Sequence, residues 1–103
     1  MSDLTAIRDR LRTFADARDW DQFHTPKNLS MAIAGEAGEL LAEFQWLTPE
    51  ESTILAPEKL RDVEMEIADV AIYLVRLADV LGLDIYEATI EKIAINESRF
   101  PPQ

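Results

Sequence analysis

The segment IADVAIYLVRLADVL, residues 67–81, decides the fold, because it is the longest stretch in which apolar residues face almost every side of a helix. Only Asp69, Arg76 and Asp79 interrupt its apolar character. A helix that is apolar most of the way round lies at the centre of a bundle or is buried against another subunit. The segment therefore predicts the central helix of an all-α protein.

The rest of the chain repeats the helical period. Apolar residues recur at intervals of three and four and no segment has a strand pattern, so we predict four helices in a bundle. Their approximate ranges are 3–18, 29–47, 58–81 and 84–99. Residues that typically begin or end helices support these bounds. They are Pro26 as a breaker, Asn28 or Ser30 near the start of the second helix, Pro57 before the third helix, Gly82 after it, and Asp84 as the cap of the fourth. The segment TPEE, residues 48–51, has the pattern of a capping box and predicts a short extra turn.

Length and composition limit the class of protein. The 103 residues suffice for one domain, 1–103, and the 48% apolar content is that of a globular chain. So small a domain leaves much of its surface exposed, which favours self-association if apolar helix faces remain. The chain has no cysteine, no signal-peptide pattern and no apolar run long enough to span a bilayer, so we expect a cytoplasmic protein.

The net charge of −10 disfavours several partners. Nucleic acid polymers and anionic membranes both bind basic surfaces, so we expect neither as a partner. A substrate that carries phosphates remains compatible, because divalent cations bridge carboxylates to phosphates.

Acidic residues at helical spacing are the strongest functional signal. Two helices each carry an E-x-x-[ED] pair beside apolar positions, with further acids in register: Glu36, Glu39 and Glu43 in the second helix, and Asp62, Glu66 and Asp69, followed by Tyr73, in the third. Steps of three and four place each set on one side of its helix, where like charges repel.

Two interpretations of these acids follow from spacing alone. They form a solvated helix face, or they face each other and hold a cation such as Mg²⁺ or Mn²⁺. Lys27, Arg76 and Lys92 are candidate partners for some of the charge. A di-iron bundle is disfavoured because the chain has no Glu-x-x-His motif, and the single histidine, His24, suits a loop hydrogen bond or a substrate contact.

Three segments resemble the MazG-like nucleotide pyrophosphohydrolases, and among them the small dCTP pyrophosphatase-type branch. They are DWDQFHTPKNLSMAIAGEAGELLAEFQWL (19–47), EIADVAIYLVRLADVLGLD (66–84) and KIAINESRFP (92–101). The resemblance covers nearly the whole chain, in the same order and spacing.

The resemblance implies an all-α homodimer or homotetramer that hydrolyses nucleoside triphosphates to the monophosphate and pyrophosphate with Mg²⁺. Substrates in this family are often deoxynucleotides, such as dCTP or modified pyrimidines, which fits nucleotide pool sanitation. The metal-binding and catalytic residues that it implies are Glu36, Glu39, Glu66 and Asp69. The implied substrate contacts are Trp20, His24, Lys27, Asn28, Trp46, Tyr73, Lys92 and Asn96.

The chain departs from the family pattern at two positions. Arg12 stands where relatives carry a histidine, which leaves the base preference open, and Met65 replaces an acidic residue before Glu66. Glu43 is not acidic in every relative, and we regard it as an extra ligand or a neighbour of the ligands. The rival hypothesis is a non-catalytic acidic helical module that binds a protein partner.

Overall fold

The computed structural model describes residues 3–103, and all the regular structure in this range is helical. Five helices follow one another, α1 (Asp3–Ala17), α2 (Pro26–Ala42), α3 (Pro49–Ser52), α4 (Pro57–Val80) and α5 (Ile85–Arg99). The prediction of an all-α chain is confirmed. The four predicted long helices are α1, α2, α4 and α5, and α3 is the predicted extra turn.

Helix α4 is the centre of the fold. Helices α2 and α1 both pack against it, α2 more extensively, whereas α5 touches it over only a few residues. The buried apolar side chains come from these three packed helices: Ala15, Leu29, Val63 and Val75. The apolar segment that begins at Ile67 therefore lies on the helix against which the others pack, as its pattern predicts. Only part of it is buried, because five of its large apolar side chains are 38–54% exposed: Ile67, Ile72, Leu74, Val80 and Leu81.

Helix α2 has different ends from those predicted. It begins at Pro26, because the Thr25 hydroxyl accepts a hydrogen bond from the Asn28 N–H at 3.2 Å and proline suits the first helical position. The prediction that Pro26 breaks the chain before a helix starting near Leu29 was wrong. The helix ends at Ala42 rather than at residue 47, and residues 43–47 form turns that lead into α3.

The other helix ends match their sequence signals. Thr48 and Glu51 form the reciprocal capping box at the start of α3, and Asp84 caps α5 by accepting from the Glu87 N–H at 3.0 Å. Gly82 has a φ of 72° after α4, a left-handed conformation that glycine adopts without strain.

The overall dimensions are large for the chain length. The radius of gyration is 16.4 Å, whereas a compact domain of this length has one of about 13 Å.

None of the described helices is long and apolar enough to cross a membrane. The cytoplasmic location stays a prediction.

Candidate functional site

Helices α2 and α4 bring three carboxylates together. They run antiparallel, since Glu43 at the end of α2 pairs with Lys59 near the start of α4. Midway along this contact, carboxylate oxygens of Glu36, Glu66 and Asp69 lie within 4.8 Å of one another. These three residues, which we call the acidic group, are all half-buried. The i,i+3 spacing of Glu66 and Asp69 places both on the face of α4 that meets α2.

The acidic group is electrostatically unbalanced. Burial raises the pKa of Glu66, and the neighbouring carboxylates raise it further; in order of their contribution these are Asp69, Glu36, Glu39 and Glu43. Within residues 3–103 no lysine or arginine forms an ion pair with a member of the acidic group. The folded chain thus assembles negative charge without supplying the positive charge that would stabilise it.

A hard divalent cation fits this arrangement. Oxygen ligands on opposite sides of Mg²⁺ are about 4.2 Å apart, because each lies about 2.1 Å from the ion. The oxygens of the acidic group already lie within 4.8 Å of one another, so small side-chain rotations suffice to bring them around one ion. All three candidate ligands are carboxylates, the ligand type that Mg²⁺ and Mn²⁺ prefer.

The other acids of the predicted set lie around this group. Glu39 is exposed and outside the group of three, although its charge contributes to the raised pKa of Glu66. Its role as a ligand stays a prediction. Glu43 pairs with Lys59 at 3.0 Å, so its charge is already matched by a cation of the chain. Asp62 is exposed.

A pocket of about 340 Å³ adjoins the acidic group. It includes three of the predicted substrate contacts, Trp20, His24 and Tyr73, together with Glu36 and Asp69. Its remaining lining residues come from α1 and α4: Leu11, Phe14, Ile72 and Arg76. We call this the aromatic pocket. It has an apolar, aromatic wall on one side and two carboxylates on the other.

Ring contacts fix the aromatic wall. The Trp20 ring meets Phe14 of α1 edge-on with centroids 5.3 Å apart, and it meets the His24 ring at 6.0 Å. Backbone bonds hold the intervening loop, because the N–H groups of Phe23 and His24 both donate to the Trp20 carbonyl. The short loop therefore presents its indole and imidazole as a unit.

The other five predicted substrate contacts lie outside the aromatic pocket. Asn28 donates through its side-chain amide to the Phe23 carbonyl at 3.1 Å, and Lys27 is exposed next to it. Trp46 is 87% exposed in the turn after α2. Lys92 and Asn96 are exposed on α5. Substrate roles for all eight residues stay predictions.

A second charged cluster was not predicted from the sequence. Arg12 of α1 donates to Asp79 of α4 at 2.7 Å, and Arg76 donates to Asp21 at 2.7 Å and to Nδ1 of His24 at 3.0 Å. We call these five residues the arginine cluster. Arg76 therefore pairs with acids other than the acidic group, which corrects the suggestion that it neutralises the E-x-x-[ED] pairs.

The arginine cluster is charge-matched, and the pKa of Asp79 reflects this. The hydrogen bond from Arg12 holds the pKa of Asp79 below its usual range, although burial opposes this shift. The signal that could have revealed the cluster is the i,i+3 pair Arg76 and Asp79 inside an apolar segment, because buried charges need partners. Its partners Arg12 and Asp21 are distant in sequence, so no local spacing identifies them.

Comparisons with known proteins agree with the fold and with the resemblance. Residues 31–101 match the model of the MazG-like family. The chain is 42% identical over 100 residues to dCTP pyrophosphatase 1 of Mus musculus and to that of Homo sapiens, which covers 95% of this chain. It spans 59% of the length of these curated relatives, so the single-domain organisation stays a prediction.

A solved structure gives the same result over a full-length match. The crystal structure of a pyrophosphatase from Archaeoglobus fulgidus has a TM-score of 0.91 and 40% sequence identity. The match covers 99% of this chain and 95% of that one. The family model and the dCTP pyrophosphatase relatives together confirm the resemblance noted from the sequence: the chain belongs to the MazG-like family.

Proposed function

We propose that the protein is a nucleoside triphosphate pyrophosphohydrolase that converts dCTP, or a related or modified deoxynucleotide, to the monophosphate and pyrophosphate with Mg²⁺. Mn²⁺ is the other candidate ion, because it prefers the same oxygen ligands. The observation that carries the proposal is that Glu36 and Asp69 belong both to the acidic group and to the aromatic pocket. A ligand with an aromatic end and a polyanionic end fits such a site, provided that a cation separates the anions.

The residues of the site have separable roles in this proposal. The rings of Trp20 and Tyr73 provide apolar surface on which a nucleobase stacks. Glu36, Glu66 and Asp69 would hold the cation, with Glu39 as the fourth predicted ligand, and a bound divalent cation supplies charge neutralisation of the phosphates and activation of water. Water would attack the α-phosphorus, and pyrophosphate would leave.

The identity of the relatives supports the substrate class. The mouse and human relatives are described as dCTP pyrophosphatase 1, and the Archaeoglobus protein as a pyrophosphatase. The Glu and Asp residues of the acidic group occupy the metal-binding positions that the family resemblance implies. Pyrophosphate release from a deoxynucleoside triphosphate is therefore the activity we expect first, with the preferred base open.

We also propose that the working form is a homodimer or homotetramer. The chain exposes 7928 Å², whereas a compact monomer of this size exposes about 5,900 Å². No residue of α5 is buried, although it carries large apolar side chains that are 42–49% exposed: Tyr86, Ile90, Ile93 and Ile95. A second copy that covers the exposed apolar side chains of α5 accounts for both observations. Light scattering on purified protein tests this, and a strict monomer at micromolar concentration would contradict it.

A product assay tests the activity. Standard and modified deoxynucleoside triphosphates are incubated with the protein and MgCl₂, and pyrophosphate and monophosphate are measured separately. We expect equimolar pyrophosphate and monophosphate from at least one substrate, and no release when EDTA replaces MgCl₂. Folded protein that releases no pyrophosphate from any nucleotide would favour the rival, a non-catalytic acidic module that binds a protein.

A further inference from the structure

The single histidine of the chain is held by a donor that cannot become an acceptor. Arg76 is buried, with 7% of its surface exposed, and its Nε donates to Nδ1 of His24 at 3.0 Å. Its terminal nitrogens are held by Asp21 at 2.7 Å and Asp79 at 3.5 Å, so the guanidinium is fixed on both sides. A guanidinium stays protonated and has no acceptor atom. Nδ1 of His24 must therefore carry a lone pair rather than a proton.

The position of that lone pair determines which ring nitrogen can donate a hydrogen bond. A neutral imidazole has one protonated nitrogen, so the proton of His24 lies on Nε2. Nε2 makes no hydrogen bond to any residue in the range 3–103, whereas its ring is half-buried in the wall of the aromatic pocket beside Trp20. A half-buried donor without a protein partner is available to a ligand.

We propose that Arg76 is a positioning residue that fixes His24 as the neutral, Nε2-protonated tautomer, which donates a hydrogen bond to the bound base. This inference rests on the proposed function for its ligand but not for its tautomer. The acceptor is a carbonyl oxygen or an unprotonated ring nitrogen on the edge of the nucleobase. A charged imidazolium would attract phosphate instead, so fixing the neutral form directs His24 toward the base.

The surroundings of His24 favour the neutral ring. Burial lowers its pKa most, and the charge of Arg76 lowers it further, against a smaller opposing effect of Asp21. On the side of the arginine cluster, His24 shares a second pocket with Asp16 and Asp79. Across the aromatic pocket the acidic lining residues are Glu36 and Asp69, which belong to the acidic group. A cation bound by those acids would offset their attraction for a proton on His24.

Nuclear magnetic resonance reads the tautomer without turnover. Because the chain has one histidine, ¹⁵N-histidine labelling gives a single imidazole spectrum. We expect a protonated Nε2 and an unprotonated Nδ1 at pH 7 in the wild type. In R76M we expect a mixture of tautomers and a higher pKa of His24. A wild-type ring that is charged or that exchanges between both tautomers at pH 7 would overturn the proposal.

A matched variant separates positioning from folding. Arg12→Met removes the other arginine that contacts Asp79, but Arg12 has no bond to His24. We expect R12M to keep the wild-type tautomer even if it is less stable, and R76M to lose it. Equal changes of the His24 spectrum in both variants would show a general loosening of the fold and would overturn the proposal.

Kinetics tests the donor itself. His24→Phe keeps a ring but removes the donor, whereas His24→Gln keeps an N–H donor. Loss of one neutral hydrogen bond lowers kcat/KM about 3- to 10-fold, so we expect that loss in H24F, chiefly through KM, and partial recovery in H24Q. Unchanged kcat/KM in H24F would overturn the donor role. Absence of turnover in the wild type would instead contradict the proposed function, while the spectrum still reports the tautomer.

Discussion

Helix α4 carries two charged clusters that differ in how their charge is balanced. Near its middle, Glu66 and Asp69 meet Glu36 of α2 without a cation from the described chain. Two to three turns later, Arg76 and Asp79 form the core of the arginine cluster, in which every acid has an arginine. The pKa of Glu66 is raised, whereas that of Asp79 is lowered.

The difference indicates two separate purposes for polar residues in one apolar helix. The arginine cluster ties α1 and the loop before α2 to α4 through Arg12, Asp21 and His24, so its charges hold the fold together. The acidic group costs the fold stability in the absence of a cation, because its charges repel. Such a cost is typical of a functional site rather than of a structural one.

The largest expected effect is the loss of activity in Glu66→Gln. The substitution keeps the shape of the side chain but removes a charge on which metal binding depends, so we expect kcat/KM to fall at least about 100-fold. Metal-free protein should become more stable, because the repulsion within the acidic group is reduced. Pyrophosphate release and urea unfolding measure the two effects.

Glu64→Gln is the matched control on the same helix. Glu64 is 61% exposed and pairs with Arg61, so we expect nearly wild-type activity and a stability change below about 0.5 kcal/mol. If E64Q lost as much activity as E66Q, the effect would come from the net charge of α4 and the assignment of the acidic group would be wrong.

Asp79→Asn should destabilise the protein, whereas Glu66→Gln stabilises the metal-free form. It leaves the buried Arg76 with one carboxylate partner, and we expect the free energy of unfolding to fall by about 2 kcal/mol. Urea unfolding at a fixed protein concentration measures it. Stabilisation by Mg²⁺ should persist, because Asp79 is not part of the acidic group. A D79N variant as stable as the wild type would show that the arginine cluster does not hold α1 and α4 together.

A smaller effect concerns pH. Because the folded-state pKa of Glu66 lies above its unfolded value of about 4.3, the folded state binds more protons than the unfolded state in the pH range between the two pKa values. Metal-free stability should therefore gain a contribution as pH falls through the raised pKa. Asp79 acts oppositely, since its stabilisation is present above about pH 3.9 and is lost as pH falls through its lowered pKa.

Comparing wild type with E66Q isolates the contribution of Glu66 to this pH dependence. His24 is present in both wild type and E66Q, so its own titration cancels in their difference. We expect the wild type to lose its stability deficit relative to E66Q as the pH is lowered from 7 toward 4.5, measured by urea unfolding in EDTA. A difference that stays constant with pH would contradict the raised pKa of Glu66.

Local features of this molecule were predictable from sequence where the signal was periodic. The apolar segment around Tyr73 identified the central helix, and the spacing of Glu66 and Asp69 identified a shared face. The start of α2 was missed because Thr25 with Pro26 is a cap and a first helical residue as readily as a breaker.

Features that depend on tertiary packing were not predictable from one sequence. The Arg12–Asp79 pair joins residues 67 positions apart, and no spacing rule connects them. Spacing placed Glu39 with Glu36, but the angle between α2 and α4 decides which glutamates reach Glu66, and Glu39 is outside the group of three. The sequence indicated the acids, and packing selected among them.

The most direct test of the account is the effect of Mg²⁺ on the unfolding of wild type and E66Q. Urea unfolding is followed with increasing MgCl₂, with KCl solutions of equal ionic strength to remove screening effects. We predict that the wild type gains about 1.4 kcal/mol at ten times the dissociation constant, and that E66Q gains little at the same concentration. Equal stabilisation of both proteins, or none of the wild type, would contradict the claim that the acidic group binds a divalent cation.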